Sequence, residues 1–171
     1  MRRCKMKKNF VFILIIVFIL TSCSTKVNSV NDYRSFENEE YRLQCNLEMF
    51  PQTLDDAWTV LDYQFWYREL IWEDAYIYLD ICFNSEAAFE QELERVLSIK
   101  GSYYHQTDTF TEDKQNFDLP AYVLSGNDPE WNYSWQYIIS IPNENRIVYI
   151  FMQTPPDWAV KIPEEYLPHS N

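Results

Sequence analysis

Residues 57–99 read AWTVLDYQFWYRELIWEDAYIYLDICFNSEAAFEQELERVLSI, and this stretch decides the fold of the chain. Residues 57–67 and 75–83 alternate in side-chain character with a period of two, which is typical of β-strands. In residues 86–99, Phe89, Leu93, Val96 and Leu97 follow the spacing of one apolar helical stripe. The pattern therefore predicts a β-hairpin followed by an amphipathic helix that packs on it.

The two faces of the predicted hairpin differ in character. If Tyr63 lies opposite Ile77, the apolar side chains of both strands share one face. A slip of one residue would place Asp62 and Gln64 among aliphatic residues, so we expect the first register. The other face combines aromatic rings with carboxylates, as a glycan, peptide or protein partner would require: Trp58, Asp62, Trp66, Tyr76, Tyr78 and Asp80. The alternative is that the proline-rich C-terminal tail and Trp158 cover this face as a second core layer.

The remaining segments complete one domain. Further strands are predicted at residues 41–50, 121–124, 131–141 and 146–153, with residues 103–110 as a weaker candidate. Prolines from residue 155 onward predict a coil tail. We expect a single α+β domain at residues 41–171, in two layers: a mostly antiparallel sheet of about six to seven strands and one main helix at about 86–99.

The N-terminus has the features of a targeting segment. Five basic residues precede an uninterrupted apolar run at residues 10–20. As a helix this run would span roughly 16 Å, which is too short to cross a hydrocarbon core of about 30 Å. The run ends in Leu20-Thr21-Ser22-Cys23, an aliphatic residue and two small residues before a cysteine.

This motif resembles the lipobox of bacterial lipoproteins, and the resemblance covers residues 1–23. It implies a signal peptide at residues 1–22, cleavage before Cys23, diacylglycerol on the Cys23 sulfur and an acyl chain such as palmitate on its amino group. Two or more acyl chains anchor a protein stably in a membrane. The resemblance thus implies a lipid-anchored, extracytoplasmic protein of the cell membrane or outer membrane; the alternative is an ordinary cleaved secretory signal. Polar residues 23–40 would then form a flexible tether.

The net charge argues against contact with nucleic acid and with anionic lipid surfaces. The chain has 14 Lys and Arg and 26 Asp and Glu, and cleavage would remove five basic residues, leaving 9 − 26 = −17. Such a domain is repelled by nucleic acid and by anionic lipid surfaces. Two cysteines, Cys45 and Cys82, would remain beside Cys23; an extracytoplasmic location permits a disulfide between them, but the predicted strand faces point them apart.

The sequence contains no recognisable catalytic, metal or cofactor motif. Only two histidines occur, His105 and His169, and neither lies in a triad-like context. Glycine is too scarce for a phosphate-binding loop. The carboxylates Asp62 and Asp80 are expected on neighbouring strands, where a pair could hydrolyse glycosides if its separation were right.

Three functional hypotheses remain open at this point. The first is a non-enzymatic, membrane-anchored binding module for an envelope protein or glycan. The second is a carboxylate-dependent hydrolase of envelope glycans. The third is an inhibitor-type lipoprotein that blocks a foreign enzyme.

Overall fold

The computed structural model describes residues 24–39, 46–69, 73–103, 106–125, 134–155 and 159–169. This part of the chain contains one α-helix, α1 (Glu86–Leu97), and five short 3-10 turns. Its strands are β1 (Ser24–Val27), β2 (Thr59–Glu69), β3 (Glu73–Cys82), β4 (Lys100–Tyr103), β5 (Gln106–Thr109), β6 (Thr111–Glu112), β7 (Ala121–Ser125), β8 (Ser134–Ile141) and β9 (Arg146–Gln153).

Seven of these strands form one antiparallel sheet in the order β1-β2-β3-β9-β8-β7-β6. Strands β4 and β5 pair separately as a small ladder. The predicted fold class, an α+β fold with a sheet of six to seven mostly antiparallel strands and one main helix, is confirmed. Strand β9 is apolar on both faces because it lies between β3 and β8, where both of its faces are covered.

The β2–β3 hairpin was predicted correctly, but its register differs from the predicted one by two residues. Tyr63 lies opposite Leu79 rather than Ile77. A displacement of two residues preserves the face of every side chain, because the period of a strand is two. Tyr63, Phe65, Ile77 and Leu79 accordingly share one buried face.

Helix α1 covers that face. Ser85 is its N-cap, and its hydroxyl oxygen accepts a hydrogen bond from the Ala88 N–H at 3.3 Å. The helix ends at Leu97, two residues before the predicted end. Phe89 and Val96 are buried as the stripe predicts.

Glu92 is outside the apolar stripe of the sequence, which predicts that it faces solvent with Glu94 and Arg95, and this prediction is wrong. Its carboxylate is buried, accepts a hydrogen bond from the Tyr149 hydroxyl at 2.7 Å and forms an ion pair with Arg95. Arg95 also donates to the backbone carbonyls of Glu48 and Met49. The buried charge is therefore compensated, and it ties the helix to the segment in front of β2.

The N-terminal boundary differs from the prediction. Ser24–Val27 is a strand paired with β2, and Phe36 is fully buried against Phe50 and Phe65. Residues 24–39 consequently belong to the folded unit and are not a flexible tether. The strand predicted at residues 41–50 is also wrong where it is described: Leu47–Met49 is a 3-10 turn capped by Asn46. Residues 41–45, with Cys45, lie outside the described residues.

The sheet carries a core on each of its two faces. The first, the helix-side core, contains Phe36, Phe50, Phe65, Phe89 and Tyr149 among others. The second, the tail-side core, is completed by the C-terminal segment, which we define as residues 159–169. This segment is coil with one 3-10 turn at Glu164–Tyr166, in agreement with the predicted coil tail.

Candidate functional site

One extra residue in β2 changes which side chains share a face. Val60 lies opposite Ile81 and Asp62 lies opposite Asp80, so Leu61 is the additional residue of a β-bulge. Leu61 is 50% exposed, although the alternation placed it on the apolar face. Side chains before the bulge therefore lie on the face opposite to the one that continuous alternation from Asp62 onward would predict.

Trp58 illustrates the consequence. It was predicted on the aromatic face with Trp66, but it packs against the helix-side core. Its ring meets Phe83 edge-to-face, with a centroid separation of 5.1 Å. Trp58 is thus separated from the other five predicted binding residues by the sheet itself.

Three aromatic residues of the predicted binding face are buried: Trp66, Tyr76 and Tyr78 are 3%, 0% and 2% exposed. Ala159, Ile162 and Tyr166 of the C-terminal segment pack against them, and Tyr166 stacks on Tyr78 at 6.5 Å. A partner cannot reach these rings while the segment is in place. The second core layer, which was the alternative interpretation, is correct; Trp158 itself lies outside the described residues.

Asp80 is the buried counter-ion of Arg146. The Arg146 guanidinium donates to both carboxylate oxygens, with Nε to Oδ1 at 2.7 Å, and the Tyr78 hydroxyl donates to Oδ2 at 3.2 Å. Arg146 also donates to the Tyr166 hydroxyl at 2.7 Å and lies over that ring. The hydrogen bond with Asp80 raises the pKa of Arg146 above its ordinary value. This network joins β3, β9 and the C-terminal segment.

Asp62 lies directly opposite Asp80 in the ladder, as a catalytic carboxylate pair would require. Asp62 is exposed and accepts hydrogen bonds from the Tyr63 N–H and the Gln64 side chain. Asp80, however, is 2% exposed, and its oxygens are occupied by Arg146 and Tyr78. A carboxylate held in this way has no open side for a sugar, so the pair is better suited to structure than to glycoside hydrolysis.

The phenols of the tail-side core are kept neutral. Burial, together with the charge of Asp62, raises the pKa of Tyr76 to about 12. Burial and the charges of Asp80 and Asp62 also raise the pKa of Tyr78. The Tyr137 hydroxyl is buried and donates to the Tyr166 carbonyl at 2.8 Å. Of these hydroxyls, that of Tyr137 holds the C-terminal segment, whereas those of Tyr76 and Tyr78 donate within the sheet, to Gln64 Oε1 at 3.1 Å and to Asp80.

A different aromatic residue is accessible. Trp135 of β8 is partly buried, and its ring lies edge-to-face against Phe117 and Tyr137 at 6.1 and 6.3 Å. Two open hollows meet at this indole. A polar hollow of about 570 Å³ is lined by residues of the 111–116 loop, and an apolar hollow of about 460 Å³ is lined by Met152, Pro155, Val160 and Leu167.

The polar wall of this site is held in a defined shape. The Asp113 carboxylate accepts hydrogen bonds from the N–H groups of Gln115 and Asn116 and from the Asn116 side chain. Partial burial acts against ionisation of Asp113, but these hydrogen bonds hold its pKa below the ordinary value. Lys114 pairs with Glu112 at 3.0 Å, and the His169 N–H donates to the Asn116 carbonyl at 2.8 Å. The loop is therefore anchored to both the sheet and the C-terminal segment.

The alternation of the strand predicted at residues 131–141 places Trp135 on one face with Tyr137 and Ile139. In the structure Tyr137 and Ile139 are buried in the tail-side core, and Trp135 packs against that core while staying partly exposed. No sequence signal distinguished Trp135, because the predicted strand began at residue 131 and put Trp135 in its interior, whereas β8 begins at Ser134.

Two further properties concern the described residues. Within those ranges, His, Cys, Asp and Glu side chains do not gather in any group of three or more that could hold a metal ion. None of the helices described there has both the length and the apolar character of a membrane span. Cys82 is a free thiol, and its Sγ lies 3.4 Å from the Glu144 carbonyl oxygen.

Comparison with protein families, curated proteins and solved structures finds no match to this chain.

Proposed function

We propose that this chain is a lipid-anchored, extracytoplasmic binding module without enzymatic activity. The anchor is supported by the basic start, the short apolar run and the lipobox-like Leu20-Thr21-Ser22-Cys23. Lipid on Cys23 would hold the domain at the cell membrane or the outer membrane. The proposed binding site is the surface around Trp135, which replaces the buried hairpin face.

The single observation that carries the binding proposal is the partly exposed Trp135 ring between a polar and an apolar hollow. Sugars combine apolar C–H faces, which stack on aromatic rings, with hydroxyls that need donors and acceptors. Lys114, Gln115 and Glu112 supply exposed groups of both kinds next to the ring. The chemistry of this surface therefore favours an envelope glycan as the ligand.

The test uses glycan fragments released from bacterial cell walls, with binding measured by titration calorimetry. We expect Trp135→Ala to weaken binding at least about tenfold, which corresponds to about 1.4 kcal/mol. Trp58→Ala is the matched control, because Trp58 is also a partly buried tryptophan but lies on the other side of the sheet. Lys114→Ala, at an exposed position, should weaken binding without altering stability.

Equal affinities for the Trp135→Ala and Trp58→Ala variants, both folded by circular dichroism, would exclude this surface as the binding site. If the wild-type chain binds none of the glycans but retains an envelope protein through Trp135, the ligand class is wrong and the partner is a protein. The anchor is tested separately with Cys23→Ser. This variant should leave the membrane fraction and should not incorporate labelled fatty acid, whereas an unchanged distribution would exclude lipidation of Cys23.

A further inference from the structure

The first described strand begins at the residue that follows Cys23 in the sequence. Ser24 follows Cys23 directly and lies opposite Arg68, while Val27 lies opposite Phe65. Consecutive Cα atoms are about 3.8 Å apart, so a lipid on Cys23 would be attached one residue step from the first residue of β1. A lipid on Cys23 would therefore have no flexible spacer between it and the folded domain.

The direction of β1 shows which end of the sheet is near the anchor. Because β1 and β2 are antiparallel, Ser24 is level with the end of β2 at Arg68 and Glu69. Asp74 of β3 and Thr154, just after β9, are at the same end. We call this the hairpin end. The Pro142–Glu144 turn and Arg146 are at the opposite end, beside Cys82.

Charged side chains are present at the hairpin end and on both broad faces of the domain. At the hairpin end, Arg68 forms an ion pair with Asp74, whose other oxygen accepts from the Thr154 hydroxyl at 3.0 Å. The helix side exposes Glu86, Glu90 and Glu94, and the C-terminal segment exposes Glu164 and Glu165. The hairpin end also carries Glu69, so an anionic lipid surface would repel all three surfaces, and the direct connection of Ser24 to Cys23 decides which of them is nearest the bilayer.

From these observations we infer that the lipidated protein stands with its hairpin end on the bilayer surface and its sheet directed away from it. The inference rests on the proposed lipidation of Cys23. Ten residue steps separate Glu69 from Thr59, so the far end is about 33 Å from the surface. Trp135 lies opposite Met152, and Met152 is in the same row across the sheet as Tyr76 and Trp66. Trp66 is three residues from Glu69, the last residue of β2 at the hairpin end. The proposed glycan site is then only about 10 Å from the bilayer surface.

The test measures the height of two positions above the bilayer. Fluorophores are attached at Glu69→Cys or at Asn143→Cys, with Cys45→Ser and Cys82→Ser in both chains. The natively processed, membrane-extracted protein is reconstituted in phosphatidylcholine vesicles that contain a headgroup quencher. We expect strong quenching at position 69 and little at position 143, since the two lie at opposite ends of the sheet.

A matched control carries twelve Gly and Ser residues inserted between Cys23 and Ser24. Such a linker has a root-mean-square length of about 20 Å, so the difference between the two labels should largely disappear. Equal quenching without the insertion, or stronger quenching at position 143, would overturn the proposed orientation.

The orientation and the anchor can fail independently. If Cys23 of the extracted protein reacts with the thiol-directed fluorophore, then it carries no lipid and the proposed anchor is wrong. The same chain can then be coupled through Cys23 to a maleimide-bearing phospholipid. The quenching ratio of that product tests whether the direct Cys23–Ser24 connection orients the domain.

Discussion

Asp80 and Asp62 show how much the environment of a carboxylate decides its role. The two residues are directly opposite each other on neighbouring strands. Asp80 is enclosed by Arg146, Tyr78 and the C-terminal segment, whereas Asp62 faces solvent. Replacing one member of a buried ion pair leaves the other charge without compensation, while replacing an exposed carboxylate has little effect.

We therefore expect Asp80→Asn to lower the free energy of unfolding by about 3 kcal/mol, because Arg146 loses its buried counter-ion and keeps only its ion pair with the exposed Glu144. Asp62→Asn should change the free energy of unfolding by less than about 0.5 kcal/mol. Urea unfolding at neutral pH, followed by circular dichroism, measures both. Similar losses for the two variants would mean that the Asp80–Arg146 pair contributes no more than a surface charge.

At the scale of elements, the C-terminal segment substitutes for a second helix layer. It has almost no regular structure, but Ala159, Ile162 and Tyr166 fill the tail-side core. Hydrogen bonds secure it, since the Tyr137 hydroxyl donates to the Tyr166 carbonyl and the Arg146 guanidinium donates to the Tyr166 hydroxyl. The aromatic face of β2 and β3 depends on this cover to stay out of water.

We predict that Ile162→Glu releases the C-terminal segment from the sheet, since a carboxylate cannot be buried among aromatic rings without a partner. The free energy of unfolding should fall by at least about 3 kcal/mol. Binding of a hydrophobic fluorescent dye should rise as Trp66, Tyr76 and Tyr78 become accessible.

Lys161→Glu provides the control, because position 161 is exposed and adjacent in sequence. Lys161→Glu should change the free energy of unfolding by less than about 0.5 kcal/mol and should leave dye binding unchanged. If Ile162→Glu leaves stability and dye binding unchanged, the C-terminal segment does not cover this face in solution.

For the molecule as a whole, the density of buried tyrosines makes stability sensitive to alkaline pH. Burial raises the pKa of Tyr63 and of Tyr76 to about 12 each, and raises the pKa of Tyr78 and Tyr137 as well. In the unfolded chain a tyrosine ionises near pH 10. Above that value the unfolded state loses protons that the folded state retains, so unfolding becomes more favourable as the pH rises.

Below about pH 10 these tyrosines should therefore not change the free energy of unfolding. From about pH 10 toward pH 12, each buried tyrosine should lower it by up to about 1.4 kcal/mol per pH unit. The expected result is cooperative alkaline unfolding. Tyrosinate absorbance and far-ultraviolet circular dichroism should change together for the buried rings. Ionisation of all thirteen tyrosines near pH 10 with the dichroism unchanged would contradict the burial described here.

Periodicity predicted the elements that pack regularly. The ranges of β2, β3, β9 and α1 follow from alternation and from the Phe89–Val96 stripe, since each presents one consistent face or is covered on both. Residues 46–50 also alternate, but Asn46 caps a turn there, and a capping residue looks like any polar strand position.

The candidate site was less predictable because it depends on distant pairings. Arg146, the partner of Asp80, is 66 residues away in the sequence, and no local pattern links them. The aromatic face looked suitable for a partner because composition does not reveal which part of the same chain covers it. Trp135 gave the opposite difficulty, since it alternates with buried residues of its strand, but as the second residue of β8 its ring is only partly buried.

The bulge at Leu61 means that β2 contains one residue more than its pairing uses. Its eleven residues make ten pairs with β3, and the side chains on either side of Leu61 occupy the faces that a strand without Leu61 would give them. Removing Leu61 would therefore join Val60 to Asp62 in continuous alternation, with neither core repacked. In contrast to most positions inside a central hairpin, this one can absorb a change in chain length, so a chain that is one residue shorter here can keep the same fold.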